Sequence, residues 1–422
     1  MRLHETDRHG GSWISGVRPE RMQRVRLPEH AAVVGSSILD ADRAVRASIR
    51  TDDVLDTTHF DTVRFPAPAW AADLLVEAAA DGRTAYTNYR GSEHVLETLA
   101  GPISELLGTE IDPVGELALT PGTQGALFAT LSATVGDGDR VALVDPDYLF
   151  SERILRFLGA EVDRIGLDAS KLGATLDWEG LEAAFEGGAR VLLFSHPNNP
   201  TGAVYSPESL ARIAALARQH DVLVIVDQLY ARLIYGDTTY TSPMAEPGMR
   251  ERCISLIGPS KTESLTGYRT GVVAGPPQII DRIEEVISLT SLRAPAYSQH
   301  VLEGWLTRDT AWVSERVDQL LQIRDLTVSR LRELPWLKVQ PQQGTAYLFP
   351  DVSALGMSDV AIATRLVENA KVLVSPGYQF GPGGVGSFRI CYARDERTWD
   401  AALDRMVDVL GTMADEAGLS RP

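Results

Sequence analysis

Residues 191–227 read VLLFSHPNNPTGAVYSPESLARIAALARQHDVLVIVD. The stretch holds an unbroken apolar run (Val191–Phe194), a loop of Pro and Asn, a helical pattern over Pro207–Gln219 and a second apolar run (Val222–Val226) closed by Asp227. Apolar runs without polar alternation are strands covered on both faces. Strand, helix and strand in that order form the unit of a parallel sheet. The same grammar extends outward through apolar runs at Leu117–Leu119, Val141–Val144, Cys253–Ile257 and Val272–Ala274. The fold class is therefore α/β, with a mostly parallel sheet between helices.

The flanks read differently. A polar arm and an amphipathic stretch (Ala41–Ile49) precede Pro66 and Pro68, which mark a turn before a helix over Trp70–Ala80. After helical stretches at Ile279–Ser291 and Trp305–Leu334 come expected strands at Leu337–Val339 and Ala346–Phe349. A helix over Ser358–Val367, a strand over Phe388–Tyr392 and a closing helix over Glu396–Leu410 complete a smaller α+β lobe.

Composition narrows the function. The net charge of −17 opposes a nucleic-acid partner, because neutralising phosphates needs a basic footprint. No apolar run reaches membrane-spanning length. The segment Met1–Trp13 is polar, without an apolar core or cleavage site, which reads as cytoplasmic. The two cysteines, Cys253 and Cys391, lie in apolar runs and read as buried thiols; no spacing suggests a metal.

In open α/β sheets ligands bind at the carboxyl ends of the strands, and most of the chemically suggestive residues follow a strand. Thr120–Gly125 opens a helix, and the small residues at its start leave backbone N–H groups free to meet an anion. Tyr148, in Asp145-Pro-Asp-Tyr148, is placed to stack on a flat heterocycle. The rigid loop His196–Gly202 aims Asn199 outward, while His196 has no metal-spaced partner. Asp227 ends a buried strand, where a carboxylate is costly unless paired, and Tyr230 follows. Lys261, one of only four lysines, stands in Gly-Pro-Ser-Lys-Thr eight residues before Arg269. Lysine can hold an aldehyde as a Schiff base, and arginine a phosphate. Arg389 sits inside an apolar strand and calls for a carboxylate partner. Each feature also has a plainer reading: a capped helix, a core aromatic, an N-cap or a structural ion pair. Gly381–Gly386 matches the dinucleotide glycine pattern, but a strand follows it instead of a helix, so it is read as a loop.

From about Thr84 to the C-terminus, the ordered set of Tyr86–Gly91, Gly122–Gly125, Asp145–Tyr148, Asn199–Gly202, Asp227–Tyr230, Ser260-Lys261 to Arg269, and Arg389 resembles the fold-type I pyridoxal-phosphate enzymes, within them the class I/II aminotransferases. The resemblance implies an N-terminal arm and part of a small domain in residues 1–61, a large cofactor-binding domain in 62–300, and the remainder of the small domain in 301–422. It implies pyridoxal 5′-phosphate on Lys261. Asp227 would bind the ring nitrogen, Asn199 and Tyr230 the ring hydroxyl, and Tyr148 the ring face. The phosphate falls to Thr123, Gln124, Ser260 and Arg269, with Tyr86 reaching the neighbouring subunit's phosphate across a homodimer. Arg389 would grip the amino-acid carboxylate.

Three departures from the family pattern stand out: charged Asp61 and Arg64 in the segment beside the substrate, Gly258 where a serine is common, and Ser151 where an aromatic is common. They point to a charged substrate, with Arg64 as a second substrate contact; Arg293 reads as a solvated loop residue, with a further cation near the site as the alternative. The implied activity is transamination from an α-amino acid to a 2-oxo acid. Elimination, replacement or cyclisation at the β or γ carbon, on a substrate such as S-adenosylmethionine, and oxidase chemistry use the same residues. A cofactor-sensing regulator is opposed by the acidic charge and the short N-terminal extension.

Overall fold

In the computed structural model residues 19–25 and 54–419 are described; the amphipathic stretch at 41–49 lies outside them. The described residues hold thirteen strands in chain order. They are β1 (Leu55–Asp56), β2 (Leu117–Thr120), β3 (Arg140–Asp145), β4 (Glu161–Asp168), β5 (Thr175–Leu176), β6 (Val191–Ser195), β7 (Leu223–Asp227), β8 (Cys253–Ile257), β9 (Gly271–Ala274), β10 (Tyr347–Leu348), β11 (Val372–Leu373), β12 (Ser375–Pro376) and β13 (Phe388–Cys391).

Eight of them form one sheet in the order β2-β9-β8-β7-β6-β3-β4-β5. Neighbours from β8 through β7, β6 and β3 to β4 run parallel, while β9 is antiparallel to both β8 and β2. The central strands bury both faces. In β6, Leu192 and Phe194 face one apolar cluster and Val191 and Leu193 the other. That is why their sequence shows no alternation. The helix Pro207–Gln219 covers one face with Leu210 and Ile213. The Ser206 hydroxyl accepts from the Ser209 N–H at its start, and Pro207 at the first turn loses no bond there. Helices Gly122–Thr134 and Pro277–Thr290 cover the other face through Leu127, Ile280 and Ile283.

The second core joins both ends of the described chain. Phe60 and Phe65 pack with residues from Leu320 to Ala414, and β1 pairs in parallel with β11, setting Leu55 beside Val372. β10, β13 and β12 make an antiparallel sheet. The indole N–H of buried Trp399 donates to Thr327 Oγ1 at 2.8 Å and ties the two long terminal helices together.

Some elements differ from expectation. Leu337–Val339 is not a strand; Lys338 makes a single bridge to Asp351. The closing helix continues to Glu416. The helix Glu93–Leu107 was masked in sequence by Pro102, a residue that ordinarily ends helices. β4 was hidden by its polar residues, several of which are exposed. Among the described residues no helix is long and apolar enough to cross a membrane.

Candidate active site

A cavity of about 280 Å³ opens at the carboxyl ends of β3, β6 and β7 and is lined by residues of both cores. Asp227 forms its floor and accepts the Leu229 N–H at 3.1 Å. Burial pushes its pKa up to about 6, opposed by the Leu229 bond and the positive charge of Lys261. Lys261 and Ser260 line the same cavity from the turn that follows β8.

An anion cradle stands beside Lys261. The helix Gly122–Thr134 begins without a side-chain cap, so its first N–H groups keep their capacity for a ligand. Ser260 Oγ is buried and has no hydrogen-bond partner among the described residues. Arg269 holds a left-handed backbone (φ 54) and donates to the Thr266 carbonyl at 2.9 Å. Its guanidinium lies on Gly122, where a Cβ would sit 2.4 Å from Nη2. Gly271 is equally confined, since a Cβ there would lie 2.6 Å from the Thr123 nitrogen. At Gly258 any side chain would meet Thr123 Cγ2 and the Thr270 carbonyl at 3.3 Å, which is a physical reason for the missing serine.

The wall is a chain of hydrogen bonds. Tyr148 donates through its hydroxyl to Gln124 Oε1 at 2.9 Å, and burial holds its phenol protonated. Asp147 beneath it accepts from Ser195 N–H (2.9 Å), Ser195 Oγ (3.0 Å) and Asn198 Nδ2 (3.0 Å). Burial lifts Asp147 to about 7 against those bonds. Ser195 Oγ in turn accepts the Asn199 N–H at 3.0 Å and so orients that loop. Asn199 Oδ1 accepts from Arg389 Nη1 at 2.9 Å. Arg389 also donates to the Thr58 carbonyl at 2.6 Å and lies 4.2 Å from the Tyr347 ring centroid. Its Nε is buried and has no partner among the described residues. Among the described residues no carboxylate pairs with Arg389; its partners are neutral oxygens. Tyr230 donates to the Tyr347 hydroxyl at 3.0 Å.

Thus Thr123, Gln124, Tyr148, Asn199, Asp227, Tyr230, Ser260, Lys261, Arg269 and Arg389 surround one cavity. Asp61, Arg64, Tyr86 and Arg293, singled out in the sequence, do not line it. Arg64 stands 3.7 Å from Asp395 and over the Phe65 ring. Asp61 caps its own turn by accepting the Val63 and Arg64 N–H groups. Thr58 and His59, a few residues earlier, line the cavity instead. Tyr86 is 86% exposed on the outer surface beneath the Arg293 guanidinium. Phe150, one residue before Ser151, supplies a second aromatic at the cavity, 5.5 Å from Tyr148 and edge-on to it. Tyr347 was missed because nothing in a short apolar strand tells which way its aromatic faces.

Two motifs find structural roles. The Gly381–Gly386 loop wraps the Asp145 carboxylate, which accepts the Gly383 N–H at 3.0 Å. His196 is buried and neutral, its pKa lowered to about 3 by burial, with Nε2 donating to the Thr241 carbonyl at 3.0 Å.

Fold and cavity together define an α/β enzyme in which an amine, a buried carboxylate and an anion cradle converge at the strand ends. The family model for aminotransferase class I and II matches residues 56–406. The structure of an aspartate aminotransferase from Rhodobacter sphaeroides superposes with a TM-score of 0.83 at 39% identity, covering 85% of this chain and 92% of that one. A Thermus thermophilus aspartate aminotransferase double mutant superposes at 0.82 with 28% identity over 93% of this chain and 99% of its own. An aromatic-amino-acid aminotransferase 2 from Thermococcus litoralis is 28% identical across 82% of this chain and 89% of its own. The chain belongs to the aminotransferase class I and II family and is an aminotransferase, moving an amino group from an amino acid to a 2-oxo acid. That family generally uses pyridoxal phosphate.

Proposed function

We propose that this aminotransferase holds pyridoxal 5′-phosphate in the cavity at Lys261 and draws its amino group from an acidic or aromatic α-amino acid. The residues fit the cofactor. Its phosphate matches the uncapped helix start at Gly122, the unpartnered Ser260 Oγ and the Arg269 guanidinium. Its ring nitrogen matches Asp227, a carboxylate whose charge needs a cationic or donating partner. Asn199 and Tyr230 stand at the same cavity for the ring hydroxyl, and Tyr148 for the ring face. When bound, the cofactor supplies an electron sink for the pair left at Cα when its proton is removed.

The protein's own groups do the rest. Lys261 takes the Cα proton and returns it, while Asp227 keeps a proton in place on the ring nitrogen. Arg389 binds the substrate carboxylate, the acceptor that its buried Nε lacks. The observation that carries this reading is the convergence of Lys261, Asp227, Arg269 and Arg389 on one cavity.

The donor class rests on the names of the relatives, which are aspartate and aromatic-amino-acid aminotransferases. Thr58 and His59 add polar contacts beside apolar Leu127, Phe150 and Leu229. Exposed Tyr86, held under Arg293, is proposed to reach the partner's phosphate in a homodimer. A cytoplasmic setting agrees with two free thiols. Asp61 and Arg64, which in sequence point to a charged substrate, do not line the cavity.

The test is a half-reaction. Purified protein loaded with pyridoxal phosphate is mixed with aspartate, phenylalanine or tyrosine, and the visible absorbance and 2-oxo acid are followed. One 2-oxo acid per site, with turnover only when an acceptor is added, is the result expected. Continued turnover beyond one product per site without an acceptor would overturn the reading.

A further inference from the structure

Two fully buried acids, Glu263 and Asp309, meet a single arginine just behind the cavity. Arg232 donates from Nη1 and Nη2 to the two oxygens of Asp309, both at 2.9 Å. The same Nη1 donates to Glu263 Oε1, whose other oxygen contacts the Thr262 hydroxyl. Asp309 also accepts the Leu306 N–H at 3.1 Å, immediately before the helix Thr310–Leu331.

The placement of these three residues is what matters. Glu263 lies two residues after Lys261, and its N–H closes the turn onto the Pro259 carbonyl at 3.2 Å. Ser264, next in the chain, is held in the left-handed region at φ 58, which a non-glycine residue adopts only when its surroundings impose it. Arg232 lies two residues after Tyr230, on the turn that follows Asp227. One planar guanidinium therefore ties the turn bearing Ser260 and Lys261 to the turn bearing Asp227 and Tyr230, and ties both to the helix leading into the second core.

We propose that Glu263 is a positioning residue that sets the Lys261 turn against the Asp227–Tyr230 turn, acting as a hydrogen-bonding group and not as a charge. This rests on the cofactor reading given above. Charge balance favours a neutral Glu263. Arg232 balances one carboxylate, so a second ionised acid would leave an uncompensated buried charge. Burial, reinforced by nearby Asp309 and opposed by Arg232, lifts Glu263 to about 8. Glutamine offers the same shape, with an oxygen for Arg232 and an N–H for the Thr262 hydroxyl. It should therefore substitute, whereas alanine should not.

The experiment compares Glu263→Gln, Glu263→Ala and Thr262→Val with the wild-type holoenzyme. It reads the pH midpoint of the cofactor's visible absorbance and the rate of cofactor loss on dilution, with thermal melting as the folding control. Glu263→Gln should stay within about twofold in cofactor loss and keep the midpoint. Glu263→Ala should lose cofactor about tenfold faster and shift the midpoint, the cost of one charge-assisted hydrogen bond. If Glu263→Ala fails to fold, Thr262→Val carries the test with a smaller shift in the same direction. The proposal is overturned if alanine leaves both readouts unchanged, or if glutamine does as much damage as alanine. A wild-type protein that binds no pyridoxal phosphate would instead overturn the cofactor reading.

Discussion

Replacing Arg389 with alanine tests the substrate site most sharply. Arg389 is 5% exposed, its guanidinium bonded to Asn199 and Thr58 and faced by the Tyr347 and Phe380 rings. A hydrogen bond to a charged group contributes about 1.5–3 kcal/mol, and stranding a carboxylate in a buried pocket costs about 3–5 kcal/mol. The expected loss in kcat/KM is therefore about 3–5 kcal/mol, or roughly a hundred- to several-thousand-fold, carried largely by KM. The control is a second substrate: the amine that corresponds to the amino acid without its carboxylate. Wild-type enzyme should discriminate strongly between the two, and Arg389→Ala should not. Bound cofactor should remain, because Arg389 reaches it only through Asn199. Arg389→Lys should recover part of the loss, since an ammonium brings charge without the two-pronged geometry. Equal losses on both substrates, or loss of the cofactor, would refute the assignment of the carboxylate to Arg389.

Gly122→Ala drives a methyl to within 2.4 Å of Arg269 at a backbone φ of +76. It should weaken pyridoxal-phosphate binding at least about tenfold in a fluorescence titration while aspartate's KM changes little. Asp227→Ala removes the carboxylate that would hold the ring nitrogen's proton and should cut kcat about a hundred- to a thousand-fold with the fold intact by circular dichroism. The cofactor-free protein should lose thermal stability as pH rises from 5 to 8. Asp145 and Asp227 titrate near 6 in the folded chain, Asp147 near 7 and Glu263 near 8, all raised mainly by burial. Unfolded carboxyls titrate near 4, so between those values the native state holds protons that the unfolded chain has released, and stability falls with pH. A melting temperature that climbs over that window would contradict these shifts. Gly381→Ala places a Cβ 2.1 Å from the Asp145 carboxylate, and a urea melt should show a loss of about 2 kcal/mol or more.

The parts of the site that could be read beforehand are those whose chemistry is local. Lys261, Asp227 and the Thr123–Gln124 helix start each follow a strand, and the strand-end rule gathers them without any knowledge of packing. Thr58, His59 and Tyr347 could not be found that way. They reach the cavity from segments nearly 300 residues apart, through contacts such as the Arg389 bond to the Thr58 carbonyl. The segment Asp61–Arg64 was assigned to the substrate by its position in a motif. Its charges are instead satisfied within its own turn and by Asp395. Proline inside the helix Glu93–Leu107 and exposed polar residues in β4 hid two elements, because burial by neighbours outweighs local preference there.

What the chain states by itself is periodic and local. Uninterrupted apolar runs declare strands buried on both faces, and small residues at their ends declare open turns and helix starts. An amine, an acid and two arginines in that setting announce the chemistry. Only tertiary packing decides which of the charges meet: Arg389 finds Asn199 instead of a carboxylate, Arg64 turns to Asp395, and Arg232 joins two buried acids behind Lys261. The reason is physical. Backbone period and turn preference are properties of a few adjacent residues, whereas the partner of a side chain depends on which distant segments share its space once the two cores have closed.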